Sequence, residues 1–287
     1  MKTFKLLRPH QYVKNIFVFA PIFFVGEVMN AKALLLALLA FFAFCLAAST
    51  IYILNDYLDI ENDKAHPRKK FRPLASGDVS IKSALSIMTI LFLAAETIAL
   101  LVSLNTFIII NIYLLINIAY CFGIKKIGLL DITSIALGFV LRLFAGSSAA
   151  DVSLSSWIVV MTFLLALFIA LAKRRDDVLI FQNTGKEMRS VVKEYNLKFL
   201  DSSISIMAAV IIVAYISYTT SPDVLARLDN DTLYYSLVFV ILGLLRYLQL
   251  ALVFNNSGSP TKLVLSDRFL QITITCWLLF FAHIIYF

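Results

Sequence analysis

ALLLALLAFFAFCLAASTIYILNDYLDIEND, Ala33 to Asp63, is the stretch that decides how the chain is read. Its first twenty-three residues, to Asn55, carry no charge, and a bilayer crossing uses about 20 mainly apolar residues. Three carboxylates then follow at Asp56, Asp59 and Asp63. Their i, i+3, i+7 spacing, at about 100° per residue, puts them within roughly 60° of one helix face. An apolar span ending in an acidic stripe is an unusual object. The stripe falls at the helix C-terminus, where the helix dipole disfavours each negative charge by about 0.3–1 kcal/mol. Something cationic is expected to compensate.

The rest of the chain repeats the apolar theme. Of 287 residues, 61% are hydrophobic and only 15% charged, against roughly a quarter charged in ordinary soluble domains. Charges are costly at the bilayer centre, so they punctuate the spans. The uncharged runs are 15–26, 33–55, 83–95 continuing past Glu96, and 97–124, with Ser103 to Thr106 dividing two helices. They continue through 132–150 around Arg142, 152–172, 202–222, 232–261 around Arg246, and 269–287. The expectation is an all-α polytopic membrane protein of nine transmembrane helices, forming a single domain over 1–287. With the N-terminus cytoplasmic, 21 of the 25 Lys and Arg fall in inside segments and only Lys32 and Arg227 outside. That asymmetry places the C-terminus outside.

Several other classes fall away. The N-terminal charges followed by an apolar run are not read as a cleaved signal, because no small-residue cleavage site follows Val25. The net charge of +7 is interleaved with carboxylates in two loops, so it is no nucleic-acid footprint. Cys45, Cys121 and Cys276 lie in apolar runs, and His10, His66 and His283 are too scattered to form a metal cluster.

Two charged segments carry the chemistry. The first continues from Asn55 through Lys64, Arg68, Lys69, Lys70 and Arg72 to Asp78, and Pro67 and Pro73 bend it so that Lys69 and Arg72 can return towards the acids. Oxygen ligands of this kind suit Mg²⁺, which typically bridges carboxylates to a substrate phosphate. A polyphosphate bound without metal would meet roughly 3 kcal/mol of repulsion per unit-charge pair about 5 Å apart. The second segment opens with Lys173, Arg174, Arg175, Asp176 and Asp177 at the inner end of the sixth helix, and runs on through Lys186, Arg189, Lys193 and Tyr195. Its acids repeat the placement of the first. Glu96 and Arg142 reach similar depths and are expected to pair, while Arg246, about 10 Å below the inner face, is placed to reach a lipid phosphate.

Asn55-Asp56-Tyr57-Leu58-Asp59, continued to Asp63, resembles the NDxxDxxxD signature of UbiA-type intramembrane prenyltransferases. RPHQYVKN from Arg8, HPRKKFRPLASG from His66, AYCFGIKK from Ala119, LRLFAGSSA from Leu141, AKRRDD from Ala172, LLRY from Leu244 and SPTKLVLSDRFLQ from Ser259 look like its decaprenyl-phosphate phosphoribosyltransferase branch. The resemblance implies a nine-helix fold with two aspartate-rich cytoplasmic motifs around a cavity. It further implies Mg²⁺-assisted transfer of 5-phosphoribose from phosphoribosyl pyrophosphate (PRPP) to a polyprenyl phosphate, with release of pyrophosphate. Asn55, Asp56, Asp59 and Asp63 would hold the metal, and Asp177 would join the three motif aspartates as a catalytic residue. Lys14, Asn15, Lys69, Arg72, Lys173, Arg174, Arg175, Arg189, Tyr195 and Arg246 would bind substrate. The implied setting is a bacterial-type inner membrane with the active site facing the cytoplasm; a dimer or trimer would be compatible. One rival is a prenyltransferase of the same fold acting on a small or aromatic acceptor. Another is a non-catalytic transporter or lipid-phosphate-binding protein, for which no inverted repeat speaks.

Overall fold

The computed structural model describes residues 3–65, 69–185, 190–258 and 260–287. Among the described residues there is no strand, and eight helices are long and apolar enough to cross a membrane. They are α1 (Ala31–Leu58), α2 (Ile81–Val102), α3 (Leu104–Phe122), α4 (Leu130–Ala150), α5 (Ser156–Thr184), α6 (Leu197–Thr219), α7 (Leu233–Val253) and α8 (Arg268–Tyr286). The ninth expected crossing is not one of them. Residues 15–26 fall instead in a 3₁₀ segment, Pro9–Phe19, continued by the short helix Ala20–Val25. Pro9 and Pro21 each lack the backbone N–H that a long α-helix needs at interior positions.

Polar caps set the boundaries. Asn30 accepts from the Lys32 and Ala33 amides at the start of α1. Ser80, Asn196 and Asp267 cap α2, α6 and α8 in the same way. Ser103 ends α2 in extended conformation and its hydroxyl accepts from the Thr106 amide to open α3, so the expected division between two helices is a single residue. The longest helix, α5, ends only where Gly185 turns left-handed at φ 67° and its amide returns to the Phe181 carbonyl. At 1.5 Å per residue its 29 residues measure roughly 43 Å, more than the ~30 Å of a hydrocarbon core. Lys173 to Asp177 are therefore on a continuing helix, not at the mouth of a loop.

The chain divides into two compact units. Residues 1–125 and 137–154 form the first, with α1 at its centre. Over half of α1's apolar window is buried, against 11% for α2, which leaves Ile90, Leu93 and Leu101 for a lipid-facing surface. Its core packs Phe44, Ala47, Ala48 and Ile51 of α1 with Ala95 and Ala99 of α2 and Ile110 and Tyr113 of α3. Runs of alanine on α1 and α2 let these helices approach closely, as small residues do inside membranes. The second unit, residues 126–136 and 155–287, packs Phe168, Leu171 and Val178 of α5 against Leu200, Ile204 and Ile211 of α6 and Leu244 and Tyr247 of α7.

Candidate active site

In the first unit, α1 carries Asn55 and Asp56 to its last turn. The helix breaks at Asp59 (φ −101°, ψ 10°) and resumes as the short helix Ile60–Ala65, which bears Asp63. The break divides the expected stripe. Asp56 and Asp63, both about 2% exposed, accept from the same guanidinium nitrogen of Arg72, at 3.0 and 2.5 Å. Asp59 instead takes the Lys125 ammonium on both carboxylate oxygens, at 2.8 and 2.9 Å, and the same ammonium reaches Asn55 Oδ1 at 3.3 Å. Arg8 completes the set by donating to Asp56 while its guanidinium lies over the Tyr52 ring. The return of Arg72 towards the acids is as the bend at Pro73 suggests. Its amide bonds the Lys69 carbonyl across the 3₁₀ turn Lys69–Phe71.

Three carboxylates thus meet three cations, which answers the helix-dipole problem and has a consequence for metal. No group of three or more His, Cys, Asp or Glu among the described residues is arranged to hold an ion. Guanidinium and ammonium nitrogens occupy the ground between the acids. The donor set itself fits a hard divalent cation, being three carboxylates and an amide carbonyl, all oxygen. In this arrangement the oxygens form two sets, Asp56 and Asp63 on one Arg72 nitrogen and Asp59 with Asn55 on the Lys125 ammonium.

In the second unit, the Lys173–Asp177 stretch of α5 is partly turned inward. Arg174 is 1% exposed and donates to Asp131, in the first turn of α4, and to Asp177 at 2.7 Å. Asp131 is completely buried and also accepts from the Tyr195 hydroxyl at 2.7 Å, which in turn accepts from the Leu129 amide. Burial, together with donation to the Asp131 carboxylate, holds the Tyr195 hydroxyl above its ordinary range, so it remains a donor. Arg175 donates to Asp201 at 2.6 Å, and to the Ala251 carbonyl and Asn255 Oδ1 at 2.8 Å each. Close approach of Gly258 to the Asp176 carboxylate, where any Cβ would collide, seats residues 255–258 on this stretch. Arg174 and Arg175, expected to face substrate phosphates, are spent within the unit, whereas Lys173, Asp176 and Asp177 are half-buried. Successive helical residues point about 100° apart, so one charged run cannot present all its members to one ligand.

Three further expectations are corrected or redirected. Glu96 and Arg142 do not pair: Glu96 accepts from Asn111 on the adjoining α3 at 2.8 Å, and Arg142 donates to Asn15 Oδ1 at 2.7 Å and to the Gly138 carbonyl at 2.6 Å. Depth along two helices does not fix which way their faces turn. Arg246 is held by Asp267 at 2.7 Å and by Gln249 at 2.6 Å, and so joins α7 to the cap of α8. The Arg246 hydrogen bond keeps the Asp267 carboxyl below its usual range. Asn15 is buried, with its oxygen on Arg142 and its amide nitrogen on Cys45 Sγ at 3.1 Å. Lys14 and Lys69 are half-buried in the first unit. Arg189, with Arg68 and Lys186, lies outside the described residues.

Arg8, Lys125, Asp131 and Asp201 were not singled out as site residues from the sequence. Asp131 had a signal, an acid opening an apolar helix where the dipole favours it. Lys125 had only its expected place among the inside charges, and its partner sixty-six residues away is a tertiary matter.

Comparison with known proteins matches residues 16–264 to the UbiA prenyltransferase family. The chain is 34% identical to a decaprenyl-phosphate phosphoribosyltransferase of Mycolicibacterium smegmatis, over 99% of this chain and 92% of that one. It is 30% identical to the protein of the same name from Corynebacterium glutamicum, over 98% and 86%. Among solved structures, a UbiA homolog from Archaeoglobus fulgidus bound to GPP and Mg²⁺ superposes with a TM-score of 0.73 at 18% identity, covering all of both chains. On the extent of the family match and of these full-length relatives, the chain is a member of the UbiA prenyltransferase family.

Proposed function

We propose that the protein transfers 5-phosphoribose from PRPP to a polyprenyl phosphate and releases pyrophosphate. The observation that carries the reading is the oxygen set of Asn55, Asp56, Asp59 and Asp63, neutralised by the side chains of Arg8, Arg72 and Lys125, in a chain about one-third identical over its length to a decaprenyl-phosphate phosphoribosyltransferase. Asn55 and the three aspartates would hold Mg²⁺, which would supply Lewis-acid polarisation of the leaving pyrophosphate. Arg72, Lys125 and Arg8, which lie on these carboxylates, would bind phosphate oxygens of the substrate. Arg forks suit phosphate bidentately. Lys14, Lys69 and Lys173 are the residues proposed to bind the substrate phosphates, and Asp177, bonded by Arg174, to bind a ribose hydroxyl.

At the reacting carbon, a lipid-phosphate oxygen forms a bond to ribose C1 as the C1–O bond to pyrophosphate breaks, the electron pair leaving with pyrophosphate. No general base is needed, since a phosphate monoester with a second pKa of about 6 is largely a dianion at neutral pH. The chain's contribution is positioning and fixed charge.

The proposed setting is a bacterial inner membrane with the charged ends cytoplasmic. Residues 9–25 make the ninth crossing. Eleven residues at about 2.0 Å and six at about 1.5 Å give roughly 31 Å, close to the ~30 Å hydrocarbon thickness.

Purified protein given PRPP, Mg²⁺ and a polyprenyl phosphate should release pyrophosphate in proportion to phosphoribosyl lipid. Turnover of a prenyl diphosphate with an aromatic acceptor, and none with PRPP, would overturn the assignment.

A further inference from the structure

The N-terminal 3₁₀ segment Pro9–Phe19 is long for its kind, since such runs rarely exceed three or four residues without outside support. Its support is a ladder along α1. Asn15 meets Cys45, Tyr12 bonds Ser49 at 2.8 Å, and Arg8, at the head of the segment, lies over Tyr52 and donates to Asp56. Ser49 also donates to the Leu7 carbonyl at 3.0 Å. Residues 45, 49, 52 and 56 are spaced 4, 3 and 4, one stripe of the helix. The segment runs antiparallel to it. Seven residues from Arg8 to Asn15 at about 2.0 Å cover roughly 14 Å, and eleven residues of α1 at about 1.5 Å cover roughly 16 Å. The 3₁₀ rise is what lets the two registers meet.

Both remaining holds come from one face of α4. Arg142 donates to Asn15, and one turn on, Gly146 lies so close to the Val18 carbonyl that any Cβ would collide with it. Arg142 is 5% exposed in a membrane helix, and its guanidinium hydrogen-bonds to uncharged groups. Asn15 Oδ1, the Gly138 carbonyl, the Tyr113 hydroxyl at 3.4 Å and the rings of Phe44, Tyr113 and Phe139 surround it. A leucine would fill such a place without desolvating a charge. Of the guanidinium's bonds, the one to Asn15 is the one that reaches the N-terminal segment.

We infer that Arg142 is a positioning residue for the transfer reaction: by anchoring Asn15 it fixes the register of the N-terminal segment on α1, and so the place of Arg8 on Asp56. The inference rests on the assignment of Asp56 to the reaction. Arg142 itself touches no reacting group.

Cys45, 3% exposed beneath Asn15, reports the segment directly. Its labelling by a membrane-permeant maleimide can be followed by mass spectrometry, with Cys276 on α8 as the internal standard for intact folding. Arg142→Leu should label Cys45 at least tenfold faster at an unchanged Cys276 rate. It should also lower kcat at saturating PRPP at least tenfold and raise the half-saturating Mg²⁺ concentration. Gly146→Ala, which pushes the segment at a different point, should move all readouts in the same direction, and Arg142→Lys should recover part of each. Unchanged Cys45 protection in both Arg142→Leu and Gly146→Ala, or fast labelling with wild-type kcat, overturns the inference. If the wild-type protein does not release pyrophosphate from PRPP, the reaction assignment fails instead, and the labelling still reports whether Arg142 holds the segment.

Discussion

Arg174 on α5 donates to Asp131 in the first turn of α4, and neither side chain is open to solvent. With Asp177 and Tyr195 the pair forms a network within the second unit. Breaking one partner of a buried pair leaves a charge uncompensated, at a cost of about 3–5 kcal/mol. Asp131→Asn should therefore lower the melting temperature in detergent by several degrees. The double variant Asp131→Leu/Arg174→Met should melt above the single one, and an additive loss would contradict the network.

The acids of the first unit are expected to act unequally. Asp56 is bonded by both Arg8 and Arg72, and Asp63 shares Arg72, whereas Asp59 is held by Lys125. Asp56→Asn should reduce pyrophosphate release at least 100-fold with the fold retained. Lys125→Met should leave Asp59 without its counter-charge and tighten Mg²⁺ binding while weakening PRPP. Titration calorimetry with Mg²⁺ alone, compared with the KM for PRPP, separates the two effects.

Removal of divalent cations should stop turnover without unfolding the protein, because Arg8, Arg72 and Lys125 already neutralise the aspartates. Treatment with EDTA should abolish pyrophosphate release, and Mg²⁺ should restore it. A fall in melting temperature of more than a few degrees on chelation would show that the paired cations do not suffice.

Asp267 supplies a pH signature. Its carboxyl is held below the ordinary value, first by the Arg246 hydrogen bond. A depressed folded-state value stabilises above the unfolded pKa of about 3.9 and is lost as pH falls through the folded one. The gap in melting temperature between wild type and Arg246→Leu should be full at pH 6 and shrink below pH ~4. A gap that widened in acid would reverse the sign of the coupling.

The apolar runs from Ala33 onward marked eight crossings, because a charge-free stretch of bilayer length has few other fates in water, and Ser103 marked a helix junction through its capping chemistry. The acids at Asp56 and Asp59 do sit at a helix end, as the dipole argument expects, whereas Asp176 and Asp177 do not, because α5 continues to Thr184. What no single stretch contains is which charge meets which: Arg72 with Asp56 and Asp63, Lys125 with Asp59, Arg174 with Asp131, Arg142 with Asn15 rather than Glu96. Those pairings depend on the rotation of each helix about its axis and on breaks such as the one at Asp59, and both are set by packing between segments distant in the chain. Hydrophobic periodicity and length determine that a helix exists and how far it reaches. The direction of each polar side chain is decided only when the helices pack, since an unpaired polar group inside a membrane costs more than almost any other local preference can return.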